Sequence, residues 1–259
     1  MQPSLLFLKD LAYQAGEILR RGYGQRHTIQ MKGVTDLVTE IDHQSEKLIL
    51  DAIHTRFPDH HIFSEEHGQM VGDPDHCWYI DPLDGTVNYA HEIPLFCVSI
   101  AYAEAGEVKY GVIYEPLRDE CFSAEYGRGA WLNKELIHVS NSTTLISSLL
   151  ATGFPYHMLN TPLDNLDNFS YFSTRTRGVR RLGSAAVDMA YVACGRIDGF
   201  WEVTLKNHDI AAGGLIVREA GGIATNIHGS PNFLKDPISI LAANPHIHPL
   251  IMEGLMDGV

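Results

Sequence analysis

Little in this chain of 259 residues points to disulfides, membranes or nucleic acid. It has only 4 cysteines, Cys77, Cys97, Cys121 and Cys194, and no two form a C-x-x-C pair. Most sit in apolar runs, which reads as reduced core thiols of a cytoplasmic protein. No apolar run approaches the roughly 20 residues needed to span a bilayer. The opening residues carry no basic cluster, and Lys9 and Asp10 cut the first apolar stretch short, so no signal peptide is read. Basic residues are scarce: 19 Lys and Arg stand against 32 Asp and Glu, a formal charge of −13. Such a surface repels nucleic acid and anionic membranes, so neither is expected as a partner. It also repels an anionic substrate, so a phosphate-handling site would need positive charge of its own, for which a bound cation is the obvious source. There is no G-x-x-x-x-G-K-[ST] loop, internal repeat or low-complexity linker. His60-His61 and His246-Ile247-His248 lack a third ligand at zinc spacing and read as ordinary surface or loop histidines.

What is present is a globular composition, with 45% hydrophobic and 20% charged residues. Residues 4–23 are helical by spacing. Leu5, Leu8, Leu11, Ala12, Ala15 and Leu19 recur every three or four positions, with Ser4 as N-cap and Gly22 or Gly24 as stop. A second helix is expected over 41–57, with Leu48, Ile49, Ala52 and Ile53 facing inward and Pro58 ending it. The segment between them, 32–39, is polar. The period then turns to strands at 77–80, 95–102, 108–114, 121–124 and 130–132, with Glu104-Ala105-Gly106-Glu107 as a hairpin turn. The second half restarts the mixture. Strands are expected at 147–152, 179–182, 198–203 and 238–243, helices at 164–174, 184–194 and 209–220, and a last helix from near Pro245. A polar seam at Ser140-Asn141-Ser142-Thr143 divides one domain, 1–259, into lobes of about 1–140 and 141–259. The expected class is an α/β-layered protein with mixed sheets.

The strongest chemical signal is Trp78-Tyr79-Ile80-Asp81-Pro82-Leu83-Asp84-Gly85-Thr86. An apolar strand delivers Asp81 at its end, Pro82 fixes a turn, and Asp84 returns to the same side. Two converging carboxylates are costly without a cation, and hard oxygen donors suit Mg²⁺. Gly85 lets the backbone approach a ligand, and Thr86 adds a hydroxyl. The same residues would also serve a surface turn with capping aspartates. A second acidic pair, Glu65-Glu66, follows the apolar Ile62-Phe63. Asp209 stands at a helix start, where an Asp ordinarily caps.

In order and spacing these points resemble the inositol monophosphatase family of Mg²⁺-dependent, Li⁺-sensitive phosphatases. The 78–88 segment is similar to one family motif, and Trp201-Glu202 through His208-Asp209-Ile210-Ala211-Ala212-Gly213 to another. Lys32 with Asp36-Leu37-Val38-Thr39, Gly153-Phe154-Pro155-Tyr156 and the run from Arg181-Leu182-Gly183-Ser184-Ala185-Ala186 to Gly195 match further family segments. The resemblance spans about Phe7 to Asn244. It implies an αβαβα five-layer sandwich of the inositol monophosphatase and fructose-1,6-bisphosphatase type, usually a homodimer, that hydrolyses small phosphate monoesters with two to three Mg²⁺ ions per site. By position, Glu65, Asp81, the Leu83 carbonyl, Asp84 and Asp209 would hold the metal. Thr86 paired with Asp36, with Glu65 sharing the task, would orient and help deprotonate the attacking water. The Gly85 and Thr86 amides would hold phosphate oxygens. Gly183, Ser184 and Ala185 would touch the substrate alcohol, and Glu202 would accept from polyol hydroxyls. No phosphoenzyme is implied.

The chain departs from the family at Thr204, where many members have Gly, and at His208, where Trp is common. Lys206 in the same segment either favours a second anionic group on the substrate or simply faces solvent. Substrate identity is therefore less marked than hydrolysis itself. The leading substrate is myo-inositol 1-phosphate or a related polyol or sugar phosphate. The alternatives are 3′-phosphoadenosine 5′-phosphate, fructose 1,6-bisphosphate and histidinol phosphate. A non-catalytic binding scaffold would be free to lose a metal carboxylate, and all of them are present here.

Overall fold

The computed structural model describes residues 2–25, 29–31, 37–155 and 164–257. Helix α1, Leu5–Gly22, starts where the Ser4 side chain accepts the Phe7 N–H at 3.3 Å. Its buried stripe of Leu8, Leu11, Ala12, Ala15 and Leu19 follows the expected spacing. Strands β1, Ile29–Met31, and β2, Leu37–Thr39, pair antiparallel; β2 falls in the segment 32–39 that reads as polar, and no strand is expected at either. Thr39 then caps α2, Glu40–Arg56, and Asp42 returns the bond to the Thr39 N–H at 2.9 Å. Ile49 and Ile53 are buried as expected. Leu48 and Ala52 are only half-buried, and Leu50 is buried in their place. The inward face of α2 also carries Asp42, Ser45 and Glu46, which apolar periodicity alone does not select.

Next in the chain come β3, His60–Ser64, β4, Gly68–Met70, and the long β5, Asp73–Asp84. After the short helix α3, Thr86–Ala90, follow β6, Cys97–Glu104, β7, Glu107–Glu115, β8, Glu120–Glu125, β9, Ala130–Leu132, and β10, Glu135–Ile137. These form a sheet of 8 strands in the order β10-β9-β8-β7-β6-β5-β3-β4, antiparallel throughout except for the parallel pair β3–β5. The β6–β7 hairpin turns where expected, with Ala105 and Gly106 at φ 49° and 78°.

The second half builds β11, Leu149–Thr152, α4, Leu166–Ser173, β12, Gly178–Arg180, α5, Ala185–Ala193, and β13, Gly199–Glu202. It continues with α6, Asn207–Glu219, β14, Ile223–Thr225, β15, Ile240–Ala243, and α7, His248–Asp257. Its 5-stranded sheet runs β12-β11-β13-β15-β14, parallel among the first three strands and antiparallel at β15. The last helix starts three residues beyond Pro245, and β4, β10, β14 and α3 are too short to leave a periodic signal.

Three apolar clusters fix the layers. Leu8, Leu19, Ile49, Ile53, Trp78 and Ile100 join α1 and α2 to one face of the large sheet. Ala101, Ile113, Met189, Ile210 and Phe200 fill the space around α5 and α6, between the two sheets. Leu150, Phe172, Trp201 and Ile251 seal α4 and α7 on the far face. The result is the αβαβα five-layer arrangement. Central strands are covered on both faces, so Trp78 and Ile80 point to one cluster and Tyr79 to the other. That double burial makes 77–80 read as one continuous apolar run. Among the described residues no helix is long and apolar enough to cross a membrane.

Candidate active site

The candidate residues are delivered by strand ends and helix starts that meet between the sheets. Glu65 follows β3 directly. Its N–H donates to the Ile80 carbonyl at 3.2 Å, so the β3–β5 pairing sets it beside Asp81. On β5, Asp81 stands opposite Ser99 and Asp84 opposite Cys97, so β5 carries one extra residue there. This bulge turns both carboxylates to one side, and the Leu83 N–H donates to Asp81 Oδ1 at 3.0 Å. Gly85 sits at φ 97°, with Leu95 O only 3.1 Å from where a Cβ would stand. A side chain at this turn would be strained and crowded.

Asp84 is held from the second half of the chain. Its Oδ2 accepts from Ser184 Oγ at 2.7 Å and from the Ala186 N–H at 2.7 Å, at the start of α5. Asn88 makes a second tie. Its Nδ2 donates to the Leu95 and Leu182 carbonyls, both at 2.8 Å. Gly183, at φ 89°, has Asn88 Nδ2 3.0 Å from a would-be Cβ. Asp209 lies in the first turn of α6, where its Oδ2 accepts the Lys206 N–H at 2.6 Å. Glu202 ends β13. A Cβ on Gly153 would come within 2.0 Å of Glu202 Oε2, so the glycine clears the space this carboxylate occupies.

Helix α2 supports these turns from behind. Thr86 Oγ1 lies 3.2 Å from Asp42 Oδ1 and 2.9 Å from the Leu83 carbonyl, and its single proton can go to only one of them. Ser45 Oγ donates to the Pro82 carbonyl at 2.9 Å. Glu46 Oε1 accepts from Ser64 Oγ and from the N–H groups of Glu66 and His67, at 2.5, 3.0 and 2.9 Å. Asp42, Ser45 and Glu46 are the functional residues that motif matching does not select. Their signal is polar side chains at i, i+3 and i+4 inside the stripe that continues with Ile49 and Ile53. Asp36, expected as the partner of Thr86, lies outside the described residues, as do Lys32 and Tyr156.

Every other candidate lines one cavity of about 490 Å³: the acids Glu65, Asp81, Asp84 and Asp209, the 83–86 turn, the 183–185 segment and Glu202. Ser184 lines it while committing its hydroxyl to Asp84. Lys206 is exposed yet also on the cavity wall, with Arg181, Thr204 and His208. The electrostatics are those of crowded anions. Burial pushes the Asp81 carboxyl well up, aided by Glu65, Asp84 and Asp209. Burial and Asp209 push Asp84 up to about 7, against the lowering effect of the Ser184 and Ala186 donors. Glu202 is likewise raised by burial and by Asp209, Asp188 and Asp84, with Arg181 opposing.

Among the described residues, no three His, Cys, Asp or Glu side chains are drawn together as a finished metal cage. The donor chemistry nonetheless fits a hard cation: carboxylates and a backbone carbonyl, with mutual repulsion that a divalent ion would remove. Cys97, 4.0 Å from Asp84, is the exception in ligand type, and burial keeps its thiol protonated by pushing it well up.

Comparison with known proteins shows which family the chain resembles. A family model described as the inositol monophosphatase family matches residues 1–257. An inositol-1-monophosphatase of Synechocystis sp. is 45% identical, the match covering 98% of this chain and 89% of that one. A protein of Salmonella typhimurium named Nus factor SuhB is 39% identical over 99% of this chain and 97% of its own length. The solved inositol monophosphatase of Anabaena superposes with a TM-score of 0.87 at 42% identity, covering 98% of this chain and 95% of that one.

Proposed function

The chain belongs to the inositol monophosphatase family, and from that premise we propose that it is a Mg²⁺-dependent phosphomonoesterase acting on myo-inositol 1-phosphate and related polyol and sugar phosphates. The observation that carries this is the gathering of Glu65, Asp81, Asp84 and Asp209 in one cavity, where burial and repulsion raise Asp81 and Asp84. Glu65, Asp81, the Leu83 carbonyl, Asp84 and Asp209 would hold Mg²⁺. When bound, the metal supplies charge neutralisation for the phosphate and a more acidic water.

The protein's own groups supply orientation. Asp42 is fixed by accepting the Thr39 N–H and hydroxyl, at 2.9 and 2.6 Å, through Oδ2. Its Oδ1 lies 3.2 Å from Thr86 Oγ1 and accepts the Thr86 proton. With that proton committed, a Thr86 lone pair can accept from the attacking water and aim its oxygen at phosphorus. Asp42 is the described carboxylate that supports Thr86 in this reading; Asp36, expected there, lies outside the described residues. Glu65, half-buried beside Asp81, is a second acceptor for the water proton. The Gly85 and Thr86 amides face phosphate oxygens. As the P–O bond to the alcohol breaks, the departing oxygen takes a proton and free alcohol leaves. No carboxylate attacks phosphorus, so no phosphoaspartate forms. Homodimerisation, lithium sensitivity and a cytoplasmic location belong to the same proposal and rest on the family likeness.

Lys206 and Arg181 on the cavity wall favour a second reading, an ester with a further anionic group. Phosphate release from myo-inositol 1-phosphate, fructose 1,6-bisphosphate, histidinol phosphate and 3′-phosphoadenosine 5′-phosphate, each with Mg²⁺, separates the two. Preference for either bisphosphorylated compound overturns the first. The Asp84→Asn variant is expected to lose activity by a factor of about a thousand or more, since a bound metal supplies several kcal/mol at the transition state. Wild-type turnover in that variant would remove the mechanism.

A further inference from the structure

Asp188, on α5 one turn after Ser184, is a cavity residue that the reaction just described does not use. It is 2% exposed, and its Oδ1 is buried with no hydrogen-bond partner among the described residues. A buried carboxyl oxygen left unpaired costs on the order of 1–3 kcal/mol, so such an atom on a cavity wall points to a ligand group that completes it. Its surroundings narrow the class of ligand. Glu202, whose carboxylate fits only because Gly153 has no Cβ, lies close enough for Asp188 to raise it. Arg181 opposes the charge of both. Burial, with Asp84 nearby, pushes the Asp188 carboxyl well up. This wall therefore presents two carboxyl groups side by side, with one guanidinium beside them. That is the complement of neighbouring hydroxyls. A simple aliphatic or aryl group would leave both unpaired.

We propose that Asp188 is a specificity-determining residue which, with Glu202, receives two neighbouring hydroxyls of the alcohol being released, restricting efficient substrates to phosphate esters of polyols. The proposal rests on the phosphatase reading and deepens it. A purely structural Asp188, acting through α5 on Asp84, would affect all esters alike; a hydroxyl partner would not.

The test is therefore a ratio: kcat/KM for myo-inositol 1-phosphate over kcat/KM for p-nitrophenyl phosphate, which offers no hydroxyl. In Asp188→Leu the ratio is expected to fall about tenfold or more, because the polar partner of a substrate hydroxyl is gone. In Asp188→Asn, which keeps the shape with one donor and one acceptor, it falls at least threefold but less than in the leucine variant. If the leucine variant does not fold, the asparagine ratio alone decides. A ratio within twofold of wild type overturns the proposal, as does an equal loss on both esters. If the wild type releases phosphate from neither ester, the phosphatase reading itself fails. Asp188 is then decided by calorimetric affinity for free myo-inositol, which Asp188→Asn must weaken at least threefold.

Discussion

Helices α1 and α2 lie side by side on one face of the large sheet and differ by one residue in length, 18 against 17. Helix α1 turns only apolar residues and glycine inward, while α2 turns inward Ile41, Ile49, Leu50 and Ile53 together with Asp42, Ser45 and Glu46. The first helix is explained by hydrophobic burial alone. The second accepts three buried polar groups because each one holds a turn of the site: Asp42 at Thr86, Ser45 at Pro82 and Glu46 behind Glu65. A helix whose inward stripe is interrupted by hydrogen-bonding side chains is serving something beyond its own packing.

The contrast breaks most sharply at Asp42. Asp42→Asn keeps the size and the Thr39 contact but exchanges a carboxylate for an amide, so the direction of the Thr86 proton is no longer enforced. With saturating Mg²⁺, kcat is expected to fall by about 10²- to 10⁴-fold, the usual range for a disabled proton relay. Thermal stability should change far less. An unchanged kcat would return the relay to Asp36. The counterpart on α1 is Leu8→Ala. Leu8 is fully buried, so the cavity should cost about 2–5 kcal/mol in denaturant unfolding. The kcat of the molecules that remain folded should stay at the wild-type value. If Leu8→Ala lowered kcat and Asp42→Asn did not, the division of labour between the helices would be reversed.

How much of this was legible in the residues follows from the same contrast. The layered fold and the central strands are readable because both faces of the sheets are covered, α1 because its apolar spacing is unbroken, and α2 because its second half keeps apolar spacing up to Pro58. Asp81 and Asp84 are readable because Pro82 and Gly85 fix a tight turn between and after them, whereas Glu65 and Asp209 join them only through the family resemblance. Asp42, Ser45 and Glu46 hide because an acid or serine in a helix pattern ordinarily marks the solvent side. Asn88 closes the 78–88 motif, but its role is not readable, because its two partners, Leu95 and Leu182, are backbone carbonyls brought near only by the fold. Asp188 hides because it stands in the first turn of a helix, where an acid is already favoured by the unpaired N–H groups. Strand β14 and helix α3 are set by tertiary pairing, with too few residues for a period to show.

A weaker but broader test compares the site with the rest of the molecule through pH. Unfolded, the Asp84 carboxyl titrates near 4, and folded without metal it is raised by burial and Asp209 to about 7. The folded state therefore holds its proton over an interval where the unfolded state has lost it. Metal-free stability from this group is greatest below pH 4 and declines as pH rises towards 7, with Asp81 adding in the same direction. His60 and His248, lowered by burial, act oppositely: their contribution is lost as pH falls. Subtracting melts with and without Mg²⁺ isolates the carboxylates. The Mg²⁺-dependent rise in Tm should grow between pH 5 and pH 7.5, and a rise independent of pH would mean the acids are not what the metal relieves.

The smallest effect is expected at Ser45, where the contribution of α2 is a single neutral hydrogen bond. Ser45→Ala leaves the Pro82 carbonyl without the hydroxyl that donates to it at 2.9 Å, in a position that is fully buried. The cost should be about 1–3 kcal/mol of stability, since the abandoned acceptor cannot reach water. Because Pro82 separates Asp81 from the Leu83 carbonyl and Asp84, a loosened turn should also raise the Mg²⁺ concentration for half-maximal activity several-fold, while kcat at saturating Mg²⁺ stays near wild type. The two readouts discriminate between roles. Lost stability with unchanged Mg²⁺ dependence would make Ser45 a packing residue like those of α1. A shifted Mg²⁺ dependence with little lost stability would mean that α2 is tuned for the acid turn at the level of one hydroxyl group.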